Sequence, residues 1–198
     1  MSLKGDNGNT MSEEFYQMVD EFDMGFPMKV EKVPDSIIFS VETPDGPCTS
    51  KMYEIFPYVH LIYFDIHARS MPGGSEGAVE NAPVPVQFNY CVSGKTELML
   101  DDNSYIYLNE HDFTFSRQKA QGETYFPLKY YQGINIFFEQ GFFSEKNKEF
   151  LDTFGIDSKE LLVKCFSEKD TYIAEASVRM REVLEKLWSQ SEKEGTFV

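Results

Sequence analysis

Between Ile37 and Phe138 the sequence sets short apolar or period-two segments between turn residues, and after Phe138 the period changes. The segments are Ile37 to Val41, Lys51 to Phe56, Val59 to His67, Val86 to Val92, Thr96 to Leu100, Ser104 to Leu108, Asp112 to Phe115 and Gln132 to Phe138. Closely spaced strands of this kind predict a β-barrel or sandwich. Pro44-Asp45-Gly46-Pro47 reads as a turn, Asp101-Asp102-Asn103-Ser104 as a hairpin tip, and Ser93-Gly94 as a tight turn ending one strand. Ser70 to Pro85 holds three Pro and three Gly without periodicity and reads as a long loop.

Beyond Phe138, Ser144 can cap a helix carrying Phe150, Leu151 and Phe154, with Gly155 at its C′ position, and Asp157 can cap a second helix through Leu161 and Leu162. A third helix is expected from about Asp170 to Gln190, where Ile173, Ala176, Met180, Val183, Leu184, Leu187 and Trp188 form a stripe at helical spacing. Strands followed by helices give an α+β class with the helices on one side. Residues 1–12 read as a disordered tail and Glu13 to about Asp23 as a short helix closed by Gly25 and Pro27. The expected organisation is a barrel unit over 13–140 and a helical segment over 141–198.

Composition narrows the function. The 18 Phe and 11 Tyr need an interior, which argues against disorder. A net charge of −15 repels phosphate backbones and anionic lipid, so duplex DNA binding by this chain alone is disfavoured. The three cysteines, Cys48, Cys91 and Cys165, contain no CxxC spacing and fit reduced thiols in a cytoplasmic protein. No apolar run reaches the roughly 18 residues of a membrane helix, and no signal-peptide core precedes the fold.

Two stretches carry a wider pattern: Tyr53 to Ala68 (YEIFPYVHLIYFDIHA), and Val86 to Phe138 with VQFNYCVSGKTELML, SYIYLNEHDFTF and ETYFPLKYYQGINIFF. In order and spacing they resemble the sensor domains of AraC-type transcription regulators. The resemblance implies a cupin-like jelly-roll β-barrel that encloses a small effector, followed by C-terminal helices that dimerise. It also implies a pair of helix-turn-helix motifs beyond Val198, so that DNA would be contacted only through a part outside this sequence.

Enzymatic chemistry finds little support. Cupin-like metal sites need converging His and Glu ligands, and the three histidines, His60, His67 and His111, form no HxH. His60 and His67 are separated by an odd number of residues and face opposite sides of one strand. Glu123 and Glu139 read as isolated acids, Cys91 as a small core residue, and Trp188 as helix packing. The expectation is no catalytic site, no metal and no cofactor.

The candidate effector contacts are Tyr63, His67, Asn89 and Asn135, polar groups embedded in apolar strands, where burial demands partners. Gln87, Asn89 and Cys91 share one strand face, Phe88 and Tyr90 the other, and Tyr63 and His67 share a face of the earlier strand. The competing reading is that these side chains bond one another or face water. No Lys or Arg lies in Val59 to His67, Val86 to Val92 or Gln132 to Phe138, so a neutral effector, a sugar or an aromatic metabolite, is expected over an anion. Met180, Val183 and Leu187 are the candidate centre of a homodimer interface, although the stripe could equally pack on the barrel. The alternatives to a sensor domain are a metal-dependent cupin-like enzyme, such as a sugar isomerase or dioxygenase, and a stand-alone carbohydrate-binding module.

Overall fold

In a computed structural model, the described residues are 27–72, 85–100, 102–118, 120–144, 147–153, 155, 157–166 and 169–193. The tail over 1–12 and the helix expected over Glu13 to Asp23 lie outside them.

Among the described residues, eleven strands form a curled antiparallel sheet. In chain order they are β1 (Lys29–Val33), β2 (Ser36–Thr43), β3 (Gly46–Phe56), β4 (Val59–Ile66), β5 (Ser70–Pro72), β6 (Val86–Leu100), β7 (Tyr105–Asn109), β8 (Asp112–Ser116), β9 (Ala120–Tyr125), β10 (Tyr131–Phe138) and β11 (Thr171–Glu175). The main leaf runs β1-β2-β3-β4-β10-β6-β8-β11, while β7 and β9 pair with the far half of β6 and β5 pairs with β9. After β10 come a 3-10 turn (Gln140–Phe143), α1 (Lys148–Thr153), α2 (Ser158–Phe166) and, after β11, α3 (Val178–Lys193). The expected α+β class is the observed one: a jelly-roll-like half-barrel with helices after it. None of the described helices is long and apolar enough to cross a membrane.

Several turns form as their residues dictate. Thr43 Oγ1 accepts from the amides of Asp45 (3.3 Å) and Gly46 (3.2 Å), which closes the β2–β3 hairpin at Pro44-Asp45. Asp102 Oδ1 accepts from Ser104 N at 2.9 Å in the β6–β7 tip. Asp157 Oδ1 accepts from Glu160 N at 3.0 Å and caps α2.

Four expectations are corrected. Ser93-Gly94 does not end a strand: β6 runs unbroken for 15 residues. It passes from the main leaf to the second one at Gly94, whose φ is +89° and where a Cβ would lie 2.2 Å from the Tyr130 carbonyl oxygen. Ser70 to Pro72, expected as loop, is β5. Ser144 does not start a helix: its hydroxyl donates to Gly141 O at 2.7 Å and closes the 3-10 turn. The stretch from Asp170 to Glu175, expected as helix, contains β11, which pairs with β8 over Thr171↔Ser116 to Glu175↔Asp112. The main leaf is therefore completed by a strand from within the expected helical segment.

Two faces of the main leaf follow from its register. On one face, Cys48, Ile66, Cys91 and Tyr131 share a core with Leu100, Ile106 and Leu108 of the second leaf, so this face is the inner, concave one. On the other, Leu61, Tyr63, Tyr90 and Ile134 pack against Ala176, Leu184 and Trp188. There Val59 meets Leu151, and Val86 and Phe115 meet Phe166, so α1, α2 and α3 all lie on the convex face.

Candidate functional site

The concave face is read from the cross-strand pairs. Asn135 of β10 stands opposite Asn89 of β6 on one side and Ile62 of β4 on the other. Asn89 faces Thr114 of β8, and Ile62 faces Met52 of β3, itself opposite Ile37. One row nearer the mouth, Phe137 lies between His60 and Gln87, and Gln87 faces Ser116, which faces Thr171. The rows through Asn135 and Phe137 thus set an apolar wall from β2, β3 and β4 opposite amides and hydroxyls from β6, β8, β10 and β11, while the same register puts Glu54 beside His60 and Glu175 beside Asp112. Strands β4, β8 and β10 and residues 86–94 of β6 contain no Lys or Arg.

The polar wall is partly self-satisfied. Ser116 Oγ and Thr171 Oγ1 are 2.7 Å apart, and the Thr171 hydroxyl donates to Gln118 Oε1 at 2.5 Å. Tyr131 Oη donates to Asn89 Oδ1 at 2.9 Å. The Tyr131 ring reaches Asn89 by lying over Gly133, where a Cβ would stand 2.2 Å from the phenol oxygen. Burial pushes the Tyr131 phenol far above its ordinary range, opposed only by its bond to Asn89, so it remains a neutral donor. Asn135 is 6% exposed, and its Oδ1 has no hydrogen-bond partner among the described residues. Such a group costs about 1–3 kcal/mol when left dry.

At the mouth, the buried His60 donates from Nε2 to Glu139 Oε1 at 2.5 Å. Glu139, expected to be isolated, has this partner because the chain leaves β10 at its side while β4 starts at Val59. Among the described residues no group of three His, Cys, Asp or Glu is placed to hold a metal ion. Burial, reinforced by the charges of Glu110 and Asp112, pushes the Cys91 thiol up to about 12, so it is a protonated core residue at neutral pH.

The four candidate contacts are divided. Asn89 and Asn135 are brought side by side on the concave face. Tyr63 lies on the convex face, where its hydroxyl donates to Leu187 O at 3.1 Å and its ring meets Trp188 and Tyr53 edge-on at 5.8 and 5.9 Å. His67 follows the end of β4, with Nε2 3.2 Å from Asp65 and its ring 5.2 Å from that of Tyr130. It therefore sits at the other end of β4 from His60. Of the three candidate dimer residues, Met180 and Leu187 are half-buried against the convex core, and Val183 is 60% exposed. Trp188 packs in that core as expected.

Sequence reasoning missed Tyr131, Thr114, Ser116 and the His60–Glu139 pair. The Tyr-x-Gly spacing of Tyr131 and Gly133 was the available signal for the first, since a ring lying along a strand needs a missing Cβ beside it. The others depend on pairings that local sequence does not carry.

The fold and this face define an antiparallel half-barrel with an amphipathic interior and helices packed outside. No family model and no curated protein matches the sequence. Solved structures with a similar backbone include a cupin superfamily protein from Desulfitobacterium hafniense, at 11% identity and TM-score 0.39 over 50% of this chain and 84% of that one. ToxT from Vibrio cholerae is similar at 10% identity and TM-score 0.42, over 66% of this chain and 47% of ToxT. An RmlC-like cupin from Shewanella frigidimarina is similar at 13% identity and TM-score 0.36, over 59% and 88% of the two chains.

Proposed function

We propose that the concave face binds a small neutral effector, and that the chain is the effector-binding and dimerisation part of an AraC-type transcription regulator, cytoplasmic and without catalysis of its own. One observation carries the binding reading. Asn135 holds a buried carbonyl oxygen with no partner among the described residues, in a cross-strand row of Met52, Ile62, Asn89 and Thr114 that carries no charge. A dry, unsatisfied acceptor is costly unless a ligand satisfies it. An anion would need a guanidinium or ammonium to offset its desolvation, and the strands around this pair carry none. The regulatory role rests on the sequence resemblance over Tyr53 to Ala68 and Val86 to Phe138. The charge of −15 disfavours DNA contact by these residues themselves, which is consistent with a sensor role.

The test is a thermal-shift screen of neutral sugars, aromatic metabolites and sugar phosphates. Neutral compounds are expected to raise the melting temperature with concentration. Stabilisation by the phosphorylated compounds alone would overturn the reading. The homodimer is proposed on the flank of α3 that carries Val183, because Met180 and Leu187 are engaged by the barrel. Light scattering at tens of micromolar should show a dimer that Val183→Glu dissociates. A monomeric parent protein refutes that interface.

The second reading, a metal-dependent cupin-like enzyme, is favoured only by the His60–Glu139 pair at the mouth. Stoichiometric iron, manganese or zinc in the purified protein would promote it.

A further inference from the structure

We infer that the effector presents a carboxamide or lactam edge: a neutral, planar N–H and C=O pair on an apolar body. The inference rests on the proposed function and deepens it.

Three observations combine. Asn89 and Asn135 are directly opposed on neighbouring strands, which brings their Cβ atoms to about 4.5–5.5 Å. Their amides are not interchangeable, because Tyr131 sets one of them. The Tyr131 hydroxyl donates to Asn89 Oδ1 at 2.9 Å, which fixes the orientation of that amide and makes its NH₂ the donor it offers a ligand. Asn135 offers the opposite, a buried Oδ1 that accepts from no described residue. The register therefore sets a donor beside a buried, unmatched acceptor at a spacing fixed by two backbones. A primary amide or a cis-lactam carries the complementary pair on one edge: its N–H reaches Asn135 Oδ1 and its C=O accepts from Asn89.

The surrounding wall selects among neutral ligands. A sugar is polar around its whole rim, and a rim turned toward Ile37, Met52 and Ile62 would leave hydroxyls without partners. A carboxylate has no N–H to give Asn135 and would bring a charge to strands that hold no cation. An ester has the C=O but not the donor. A planar amide with an apolar body satisfies both walls, the amide edge on β6 and β10 and the body against β2, β3 and β4.

Tyr131 is then a positioning residue, acting through Asn89. Gly133 makes room for it, since any side chain there would meet the phenol.

The test uses benzamide and 2-pyridone as amide probes, methyl benzoate and benzoate as matched bodies lacking the pair, and methyl glycosides as the polyol class. The full chain is followed by thermal shift and titration calorimetry. Both amides are expected to raise the melting temperature, and the ester and carboxylate are not. Asn135→Leu should weaken the amides about tenfold, the scale of one lost hydrogen bond left without replacement. Tyr131→Phe should narrow the preference for benzamide over methyl benzoate, because the Asn89 amide is then free to turn; a merely structural role would weaken both probes alike. Asn135→Leu should melt, without ligand, no lower than the parent, because it removes an unsatisfied acceptor and no bond. Stabilisation by the glycosides with none by the amides would overturn the amide inference and leave the neutral-effector reading standing. Stabilisation by neither class, or amide binding unchanged in Asn135→Leu, would overturn the concave site itself.

Discussion

The two faces of the main leaf come from the same strands, yet they treat polar groups differently. On the convex face the two buried tyrosine hydroxyls find partners within the chain: Tyr63 on the Leu187 carbonyl, Tyr90 on His111 Nδ1 at 3.0 Å. On the concave face the polar groups are only half matched, with Asn89 held by Tyr131 and the Asn135 oxygen left over. The convex face also has its aromatic rings interlocked with α3, whereas the concave one sets aliphatic side chains opposite amides. A face that satisfies itself serves stability, whereas one that keeps a buried acceptor in reserve gives up some stability, as the binding role proposed for it would require.

The contrast is open to measurement. Trp188→Ala should be the most damaging change, because the indole is buried between α3 and Tyr63. A loss of about 3–5 kcal/mol in urea unfolding is expected, and a loss under about 1 kcal/mol would mean that α3 is no integral part of the convex core.

Alkali offers a second probe of that face. Tyr90 is fully buried, and burial pushes its phenol up to about 12. The protonated form is the one the fold favours, so its contribution is complete below about pH 10, the unfolded value, and is lost as pH rises toward 12. Stability should fall by about 2–3 kcal/mol over that window, and Tyr90→Phe should flatten the fall. An unchanged alkaline profile in the variant would place the titrating group elsewhere.

Gly133→Ala tests the concave face by overfilling it. The new methyl would collide with the Tyr131 phenol, and a loss of about 1–3 kcal/mol together with loss of ligand binding is expected. The smallest effects sharpen the contrast most. Tyr63→Phe should cost about 1 kcal/mol for its lost hydrogen bond, while Asn135→Leu should cost nothing. Equal losses from these two changes would remove the distinction between the faces.

The same comparison explains what the sequence could disclose. Period-two alternation correctly groups Gln87, Asn89 and Cys91 against Phe88 and Tyr90, because successive strand residues point to opposite sides. Alternation does not say which group faces inward. In β6 the set with Asn89 and Cys91 faces inward. In β4 both faces are apolar enough that Tyr63 could be assigned to either, and the helix that claims it arrives 124 residues later. Gly94 looked like a turn because Ser-Gly usually is one; its positive φ instead serves a strand that changes leaf. The β11 stretch mimicked a helix because Ile173, Ala176 and Met180 fall at helical spacing. Its five residues are too few for alternation to outweigh that pattern.

The pairing of β11 with β8 also governs how this fold can be made. Ser116 and Thr171 bond across 55 residues, and Arg117 pairs with Asp170 beside them. Closing so long a loop is entropically slow, and contacts of this range delay folding. During synthesis, β8 emerges well before its outer neighbour and must wait with a bare row of amides and carbonyls along one edge. An unpaired edge of that kind templates association with other chains. Expression trouble in a chain cut before Glu175 would therefore arise at β8, upstream of the cut, and the segment after β10 acts as a late-arriving guard for strands translated long before it.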